Sequence, residues 1–249
     1  MLSEILTCLS NFSSISLREM DSVSLMKRTD TKFIVPKDKL MSVLEGIHNS
    51  YKILEINSER IMAYSSMYFD TKEQKFYHDH HNGKINRIKV RMRKYLGSDL
   101  CFLEIKQKDG KGNTTKSRIK IEDFEEKIST ENKKFIEKVT EQSFDLAPTL
   151  VNNFNRLTLV NNSMNERVTI DFNIGYDSGL TQSSINGIGI VEVKQNGVDR
   201  NSSIIKELKK HSLLPYSISK YCIGMINLYT ALKYNRFKQK MIKINKLSA

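Results

Sequence analysis

The stretch INRIKVRMRKY, residues 85–95, alternates cations and apolar residues with a period of two. Because strand side chains point alternately to opposite faces, this pattern predicts a strand with one charged and one apolar face. Neighbouring cations on it lie about 7 Å apart, and each pair repels by roughly 0.6 kcal/mol in water or about 2–2.5 kcal/mol at an effective dielectric constant of about 20. A solvated face tolerates this repulsion, whereas a recess requires an anion. The cations are Arg87, Lys89, Arg91 and Arg93.

Other segments repeat the alternation: LCFLEIKQK (100–108), TKSRIKI (115–121), ERVTIDFNI (166–174) and GIVEVKQ (189–195). Glu-x-Lys occurs in two of them, at 104–106 and 192–194, as if two halves of similar design formed two walls of one sheet. The charged faces point either outward to solvent or inward. Amphipathic helices predicted between the strand groups, at 38–51, 122–145 and 200–213, favour the inward arrangement, because they can cover the apolar outer faces.

Composition limits the classes of partner. Among 249 residues, Lys and Arg number 40 against 28 Asp and Glu, which gives a net charge of +12 and a pI of about 9.5. Polyanions are the expected partners: phosphate compounds, nucleic acid or an anionic membrane surface. The three cysteines lack metal-type spacing and fit a reducing cytoplasm. The sequence has no apolar run long enough for a transmembrane helix and no signal-peptide pattern, so we predict a cytoplasmic protein.

The chain reads as one domain over residues 1–249, with its core at about 20–230 and a basic helical tail at the C-terminus. The tail is compatible with an acidic partner and with a solvated helix end. Residues 72–84 are predicted as a connection or short helix, and 147–154 as a helix or loop. The cluster YHDHH (77–81) is predicted to be solvated, and Asp70 to be a turn carboxylate.

An ordered set of motifs resembles the VTC domain, the catalytic domain of vacuolar-type polyphosphate polymerases and a branch of the CYTH-like triphosphate tunnel metalloenzymes. The resemblance runs from about residue 20 to 230. It implies an α+β fold in which an antiparallel β-barrel tunnel, lined by Lys, Arg and Glu, has helices packed outside. The motifs are RTDTKF (28–33), SSMYFDT (65–71), KVRMRKY (89–95), FLEIK (102–106), TKSRIKI (115–121), RVTID (167–171), VEVK (191–194) and SISKY (217–221).

The resemblance also implies an activity, phosphoryl transfer from ATP to a growing inorganic polyphosphate chain with Mn²⁺ or Mg²⁺ as cofactor. Carried over by position, Arg91, Arg93, Lys106 and Lys220 are the candidate catalytic residues. Glu192 is the candidate metal ligand, and Glu104 is a second one. The candidate substrate-binding residues are Lys32, Lys89, Lys116, Arg118, Arg156, Arg167, Lys194 and Ser219.

The chain departs from the wider family in two places. The E-x-E-x-K motif of the tunnel superfamily is replaced by RTDTK (28–32), which argues against a thiamine-triphosphatase or cyclase, and Ser217 stands where a lysine is expected. Two alternatives stay open. One is a tripolyphosphate or nucleoside-triphosphate hydrolase of the same fold, and the other is a non-catalytic polyphosphate- or nucleic-acid-binding module. Nucleic acid is not the expected partner, because the charged faces carry few aromatic residues, Tyr95 and Phe102.

Overall fold

The computed structural model describes residues 2–21 and 29–248. The helices in these ranges are α1 (Leu2–Ser10), α2 (Leu17–Asp21), α3 (Lys37–Ile47), α4 (Lys75–His81), α5 (Thr130–Thr140), α6 (Ser203–Lys210), α7 (Lys220–Leu228) and α8 (Lys238–Ser248). The strands are β1 (Ser13–Ile15), β2 (Thr29–Pro36), β3 (Tyr51–Leu54), β4 (Met62–Asp70), β5 (Arg87–Tyr95), β6 (Leu100–Lys108), β7 (Thr114–Ile121), β8 (Ala147–Asn161), β9 (Glu166–Asp177), β10 (Gln182–Ile185) and β11 (Ile188–Gln195).

The described strands form one mostly antiparallel sheet. Its hydrogen-bonded order is β2-β11-β9-β8-β4-β5-β6-β7, with β10 beside β9 and β3 beside β8, and the short β1 pairs with β3 in parallel. The register places Arg91 opposite Glu104, and Glu192 opposite Lys32. The charged alternations of neighbouring strands therefore share one face of the sheet.

The opposite, apolar face is covered by helices. Val90, Met92, Leu103 and Ile105 of β5 and β6 form a buried cluster with Ile136 of α5. The apolar residues of β2, β8, β9 and β11 pack in the same way against α1, α3 and α6. The helices bury the apolar side of each strand and leave the cations on the other face, as the inward arrangement requires.

Helices α7 and α8 cover an apolar part of the inner face. Ile34 and Ile190 lie two residues from Lys32 and Glu192 and therefore on the same face, yet they are buried against α7 and α8. Gly224 of α7 approaches so closely that a Cβ there would lie 2.5 Å from the Tyr176 ring. The inner face therefore has a charged part and, beside it, an apolar part that contacts α7 and α8.

The sheet curls but does not close. In a flat sheet, β6 and β11 would lie roughly 24 Å apart, five strand spacings. The charge of Glu192 in β11 nevertheless acts on Lys106 in β6, where it opposes the lowering of the pKa by burial, and salt screens such an effect beyond about 10 Å. Within the described ranges β2 and β7 end the strand order and do not pair with each other, and the outer side of β2 has an isolated bridge from Phe33 to Pro215, so the closed barrel predicted from the resemblance is not confirmed. Charged side chains on β7 are typical of an edge strand.

Three local predictions differ from the structure. Residues 147–154 belong to the long strand β8 rather than to a helix or loop, because β8 needs that length to pair with both β4 and β9. The helix predicted over 122–145 is restricted to α5, where Ser129 caps the start and Glu141, at a positive φ, ends it. The single terminal helix is split into α7 and α8. None of the described helices is long and apolar enough to cross a membrane.

Candidate active site

Arg91 of β5 is held by two partners on the inner face. Its Nε and Nη2 donate to Oε2 of Glu104 at 2.8 and 2.6 Å, and its Nη1 donates to the Tyr68 hydroxyl at 3.1 Å. Lys116 of β7 contacts the other oxygen of Glu104. Glu104 is 1% exposed, and both of its oxygens are engaged by cations. The structure therefore gives this carboxylate the geometry of a counter-ion that positions two cations.

Arg93 of β5 lies deeper and has fewer partners. Its Nε donates to the Ser66 hydroxyl at 3.0 Å, and its guanidinium carbon lies 5.6 and 5.5 Å from the ring centres of Tyr64 and Phe154. Burial, aided by the charge of Arg91, lowers the pKa of Arg93 to about 10. No carboxylate in the described parts of the chain pairs with this cation. Its terminal nitrogens are thus the natural donors for an anion.

The second half of the sheet has its own ion cluster. Arg156 of β8 donates to both oxygens of Asp171 in β9, at 2.5 and 2.8 Å, and the Lys220 ammonium contacts Oδ2 of the same carboxylate. Burial opposes ionisation, yet Arg156 and Lys220 hold the pKa of Asp171 far below its usual range. The guanidinium groups of Arg156 and Arg93 both lie against the Tyr64 and Phe154 rings. The two clusters therefore share one interior.

The start of α7 bridges both halves. Ser219 caps the helix and accepts a hydrogen bond from Lys89 of β5 at 2.9 Å, while the next residue, Lys220, reaches Asp171 of β9. Burial lowers the pKa of Lys220 to about 8, although Asp171 opposes this effect. The predicted serine–lysine pair thus lies inside the curl, between strands that are not neighbours in the sheet.

Glu192 of β11 is the carboxylate best placed for a divalent cation. It lies 3.6 Å from Lys32 and 3.2 Å from Lys194, and its side chain is 18% exposed. Lys194 also donates to Thr169 at 3.1 Å. The described residues hold no group of three or more His, Cys, Asp or Glu suited to a metal. Mg²⁺, however, is commonly held by one or two carboxylates together with substrate phosphates. Glu192 fits that donor set, whereas Glu104 is only 1% exposed and lies between Arg91 and Lys116, so its role as a second metal ligand stays a prediction.

Lys106 is a half-buried lysine without an ion-pair or hydrogen-bond partner among residues 2–21 and 29–248. Burial lowers its pKa to about 6; Arg91 adds to this effect and Glu192 opposes it. A partly deprotonated lysine beside Arg91 indicates that the interior holds more cations than its carboxylates can balance. The carboxylates of the interior are Glu104, Asp171 and Glu192.

Two predicted residues have contacts outside the ion clusters described above. Arg118 on the edge strand β7 is exposed and stacks 4.8 Å above the Phe102 ring. Arg167 at the start of β9 donates to the Met20 carbonyl at 3.1 Å. The structure thus brings together the other predicted substrate-binding residues, leaves Arg118 exposed and places the half-buried Arg167 opposite Lys194 of β11. Their binding roles stay predictions.

Three residues that support the site were given no role from the sequence: Ser66, Tyr68 and Asp171. Each accepts hydrogen bonds from a predicted cation. The available signal was register, because a period of two in β4 places Ser66 and Tyr68 on one face, opposite Arg93 and Arg91. That pairing of strands is set by tertiary structure and was not evident from the sequence.

Replacing Glu104 by Gln is expected to destabilise the protein by about 3–5 kcal/mol at neutral pH, because Arg91 and Lys116 lose a buried counter-ion. The folded-state pKa of Glu104 is lowered, so its contribution is complete above the ordinary glutamate pKa of about 4.3 and is lost as the pH falls below it. Urea denaturation at several pH values measures this, with Glu126→Gln as an exposed control. Equal stability of E104Q and E126Q would contradict the positioning role.

Binding of tripolyphosphate is expected to take up protons. Lys106 and Lys220 are partly deprotonated in the free protein, and a bound anion raises both pKa values. Affinity should therefore fall as the pH rises from about 7 to 9, by up to about tenfold per pH unit for each proton taken up. Titration calorimetry in buffers of different ionisation enthalpy measures the proton count. Proton release over this range would contradict the expectation.

Comparisons with known proteins give one family. The family model described as the VTC domain matches residues 27–229. No curated protein matches the sequence. Among solved structures, a putative adenylyl cyclase from Hippeastrum, described as having a dominant triphosphatase activity, is 13% identical, with a TM-score of 0.47 over 83% of this chain and 99% of its own. A conserved hypothetical protein from Pyrococcus furiosus is 12% identical, with a TM-score of 0.44 over 79% and 99%. Both TM-scores are below 0.5, so neither similarity carries information about activity.

Proposed function

Since the chain belongs to the VTC domain family, we propose that it transfers the γ-phosphoryl group of ATP to the end of an inorganic polyphosphate chain. The observation that supports this most is the excess of buried and half-buried cations over carboxylates on the inner face, contributed by both halves of the sheet and by α7. Buried charge without a partner is costly, and guanidinium and ammonium groups are the usual ligands of phosphate oxygens. We propose that the curled sheet forms the wall of a tunnel that a phosphate chain occupies.

The proposed step needs no strong side-chain base. A terminal oxygen of the acceptor chain attacks the γ-phosphorus, the bond from that phosphorus to the β–γ bridging oxygen breaks, and ADP leaves with that oxygen. The chain grows by one phosphate. Charge spreads over the equatorial oxygens of the transferred group, so positioning and electrostatic stabilisation are what the protein supplies.

Each residue has a proposed role in that step. The terminal nitrogens of Arg93 bind the transferred group, and Arg91, oriented by Glu104 and Tyr68, binds a neighbouring phosphate. Lys220 of α7 and Lys106 of the neighbouring strand β6 add further donors. Lys32, Lys89, Lys116, Arg156 and Lys194 hold the remaining phosphates. A divalent cation at Glu192, Mn²⁺ or Mg²⁺, supplies charge neutralisation to bound phosphate oxygens when present.

The proposal also covers domain organisation and location. One sheet runs through the described residues, which supports a single domain over the chain. Cys8, Cys101 and Cys222 are free and buried, which supports a reducing, cytoplasmic compartment. The basic C-terminal tail as a contact for an acidic partner stays a prediction.

The test is incubation with ATP and Mn²⁺, followed by sizing of any polyphosphate and assay of ADP and orthophosphate. We expect ADP and chains that lengthen with time. A parallel reaction with tripolyphosphate separates the alternatives, since a hydrolase releases orthophosphate from it and builds no chain. Absence of both products, with tight polyphosphate binding, would overturn the enzymatic proposal in favour of a binding module.

A further inference from the structure

A second group of basic side chains lies where α4 and α8 meet β5. We name it the α8-end cluster and define it as His80, Arg87, Lys89 and Lys240. His80 was predicted to be solvated, but it lies in α4 and packs 6.0 Å from the Phe237 ring. Its Nδ1 is buried and has no hydrogen-bond partner in the described parts of the chain. Leaving a buried polar atom without a hydrogen-bond partner costs about 1–3 kcal/mol of folding free energy. Packing against Phe237 therefore does not by itself account for a histidine at this position.

The charges around His80 are all of one sign. Burial, followed by the charges of Lys89, Arg87, Lys240 and Lys32, lowers its pKa to about 2. The imidazole is therefore neutral at physiological pH and has a single N–H. Orphaned buried donors are rarer than orphaned acceptors, so we place that proton on Nε2. A neutral N–H among cations can bind an anion without adding to their repulsion.

The cations of the cluster have no carboxylate partner among residues 2–21 and 29–248. Lys89 donates to the Ser219 hydroxyl, and Lys240 donates to the Ser217 carbonyl at 2.7 Å. Both acceptors are neutral groups, so the positive charges have no counter-ion there. Segment 217–219 thus holds Lys240 close to Lys89, which faces the interior described above.

Lys240 comes from a part of the chain beyond the family match, which ends at residue 229. Helix α8 is nevertheless fixed in place, because Met241 and Ile244 are buried in the apolar cluster that contains Ile34 and Ile190. The helix therefore adds a cation to one end of the interior through a rigid, packed element. A solvated tail would not hold its lysine against the Ser217 carbonyl.

We propose that the α8-end cluster is a second phosphate subsite, which binds the part of an inorganic polyphosphate chain that extends beyond the phosphates held by Arg91 and Arg93. This inference rests on the proposed function. Lys89 joins the two sites, because it belongs to β5 and lies one alternation from Arg91. A tripolyphosphate fills the first site alone, whereas a longer chain also engages His80, Arg87 and Lys240. The cluster would thereby make affinity depend on chain length.

The test compares tripolyphosphate with long-chain polyphosphate by titration calorimetry on the full chain, using wild type, Lys240→Met and His80→Phe. Each variant is expected to weaken long-chain binding by about tenfold, the effect of one charge-assisted hydrogen bond, and to leave tripolyphosphate affinity unchanged. Lys238→Met is the matched control, since Lys238 is an exposed lysine of the same helix. Lys240→Arg is expected to retain chain-length dependence.

The outcomes separate the two proposals. Unchanged long-chain affinity in both variants, or an equal loss for both ligands, overturns the α8-end subsite while tripolyphosphate binding still supports the interior site. Failure of wild type to bind either ligand overturns both. Thermal denaturation of each variant identifies a folding defect, and a defect in one variant leaves the other to decide.

Discussion

Replacing Arg93 by Met is expected to raise the melting temperature of the free protein and to lower its ATP-dependent activity by about 10³-fold or more. Arg93 is buried, is repelled by Arg91 and Arg156, and has no carboxylate partner within the described residues. Its pKa of about 10, against an ordinary 12.5, corresponds to roughly 3 kcal/mol that disfavour the charged side chain in the fold.

The sign of the stability effect follows from that lowered pKa. The cost is present at neutral pH, where the guanidinium is charged in both folded and unfolded protein, and it disappears only as the pH rises through the folded value. Met removes the charge and keeps an apolar side chain against Tyr64 and Phe154. We expect a gain of about 1–3 kcal/mol, less the lost bond to Ser66, with about 2–4 °C of melting temperature per kcal/mol.

The control for this experiment is Lys94→Met. Lys94 is the next residue along β5, lies on the opposite face and pairs with Asp123, so neither stability nor activity should change by much. Calorimetric melting and a chain-length assay are measured on both variants. A folded Arg93→Met protein with full activity would refute the role of Arg93. A large fall in melting temperature would show that the arginine is structural.

The second large effect is expected for Glu192→Gln, which should abolish metal-dependent activity, with a loss of about 10²–10³-fold or more. Binding of tripolyphosphate in the absence of metal should be retained or become tighter. The reason is that Glu192 competes with phosphate for Lys32 and Lys194, and its pKa is held low by Lys194 and Lys32 against the effect of burial. The amide keeps the shape of the side chain but removes the charge.

The measurement is activity as a function of Mn²⁺ or Mg²⁺, together with metal-free calorimetric titration of tripolyphosphate. Glu131→Gln on the exposed surface of α5 is the control and should match wild type in both. Unchanged metal dependence in Glu192→Gln would move the metal ligand elsewhere. Loss of metal-free phosphate binding would instead show that Glu192 mainly positions its two lysines.

The contrast between Glu104 and Glu192 shows how far the sequence predicts the site. Both occur in Glu-x-Lys on charged faces of alternating strands, and both were candidate metal ligands. The structure encloses Glu104 between Arg91 and Lys116 at 1% exposure, whereas Glu192 keeps 18% of its side chain exposed. The alternation identifies the face of a residue but not its neighbours across the sheet, because strand pairing is not encoded in a single strand.

The histidines of α4 also show that local sequence does not identify the neighbours of a residue, here in a segment without a strong pattern. A cluster of polar residues near Asn82-Gly83 is typical of a solvated loop. Asp70 instead accepts the backbone N–H groups of Phe76 and Tyr77 at 2.8 and 2.9 Å, which fixes the start of α4. Contact with Phe237, far along the chain, then buries His80. Long-range packing of this kind leaves no local signal.

The sequence by itself determined that this chain forms alternating strands with one charged and one apolar face, and that helices cover the apolar side. Side-chain periodicity is a local property, and the burial of apolar surface follows from it. Only the tertiary structure decided which cations have counter-ions, which carboxylate stays available and that α8 adds Lys240 to the interior. Those outcomes depend on the curl of the sheet and on the docking of α7 and α8, which bring together charges that lie far apart in the sequence.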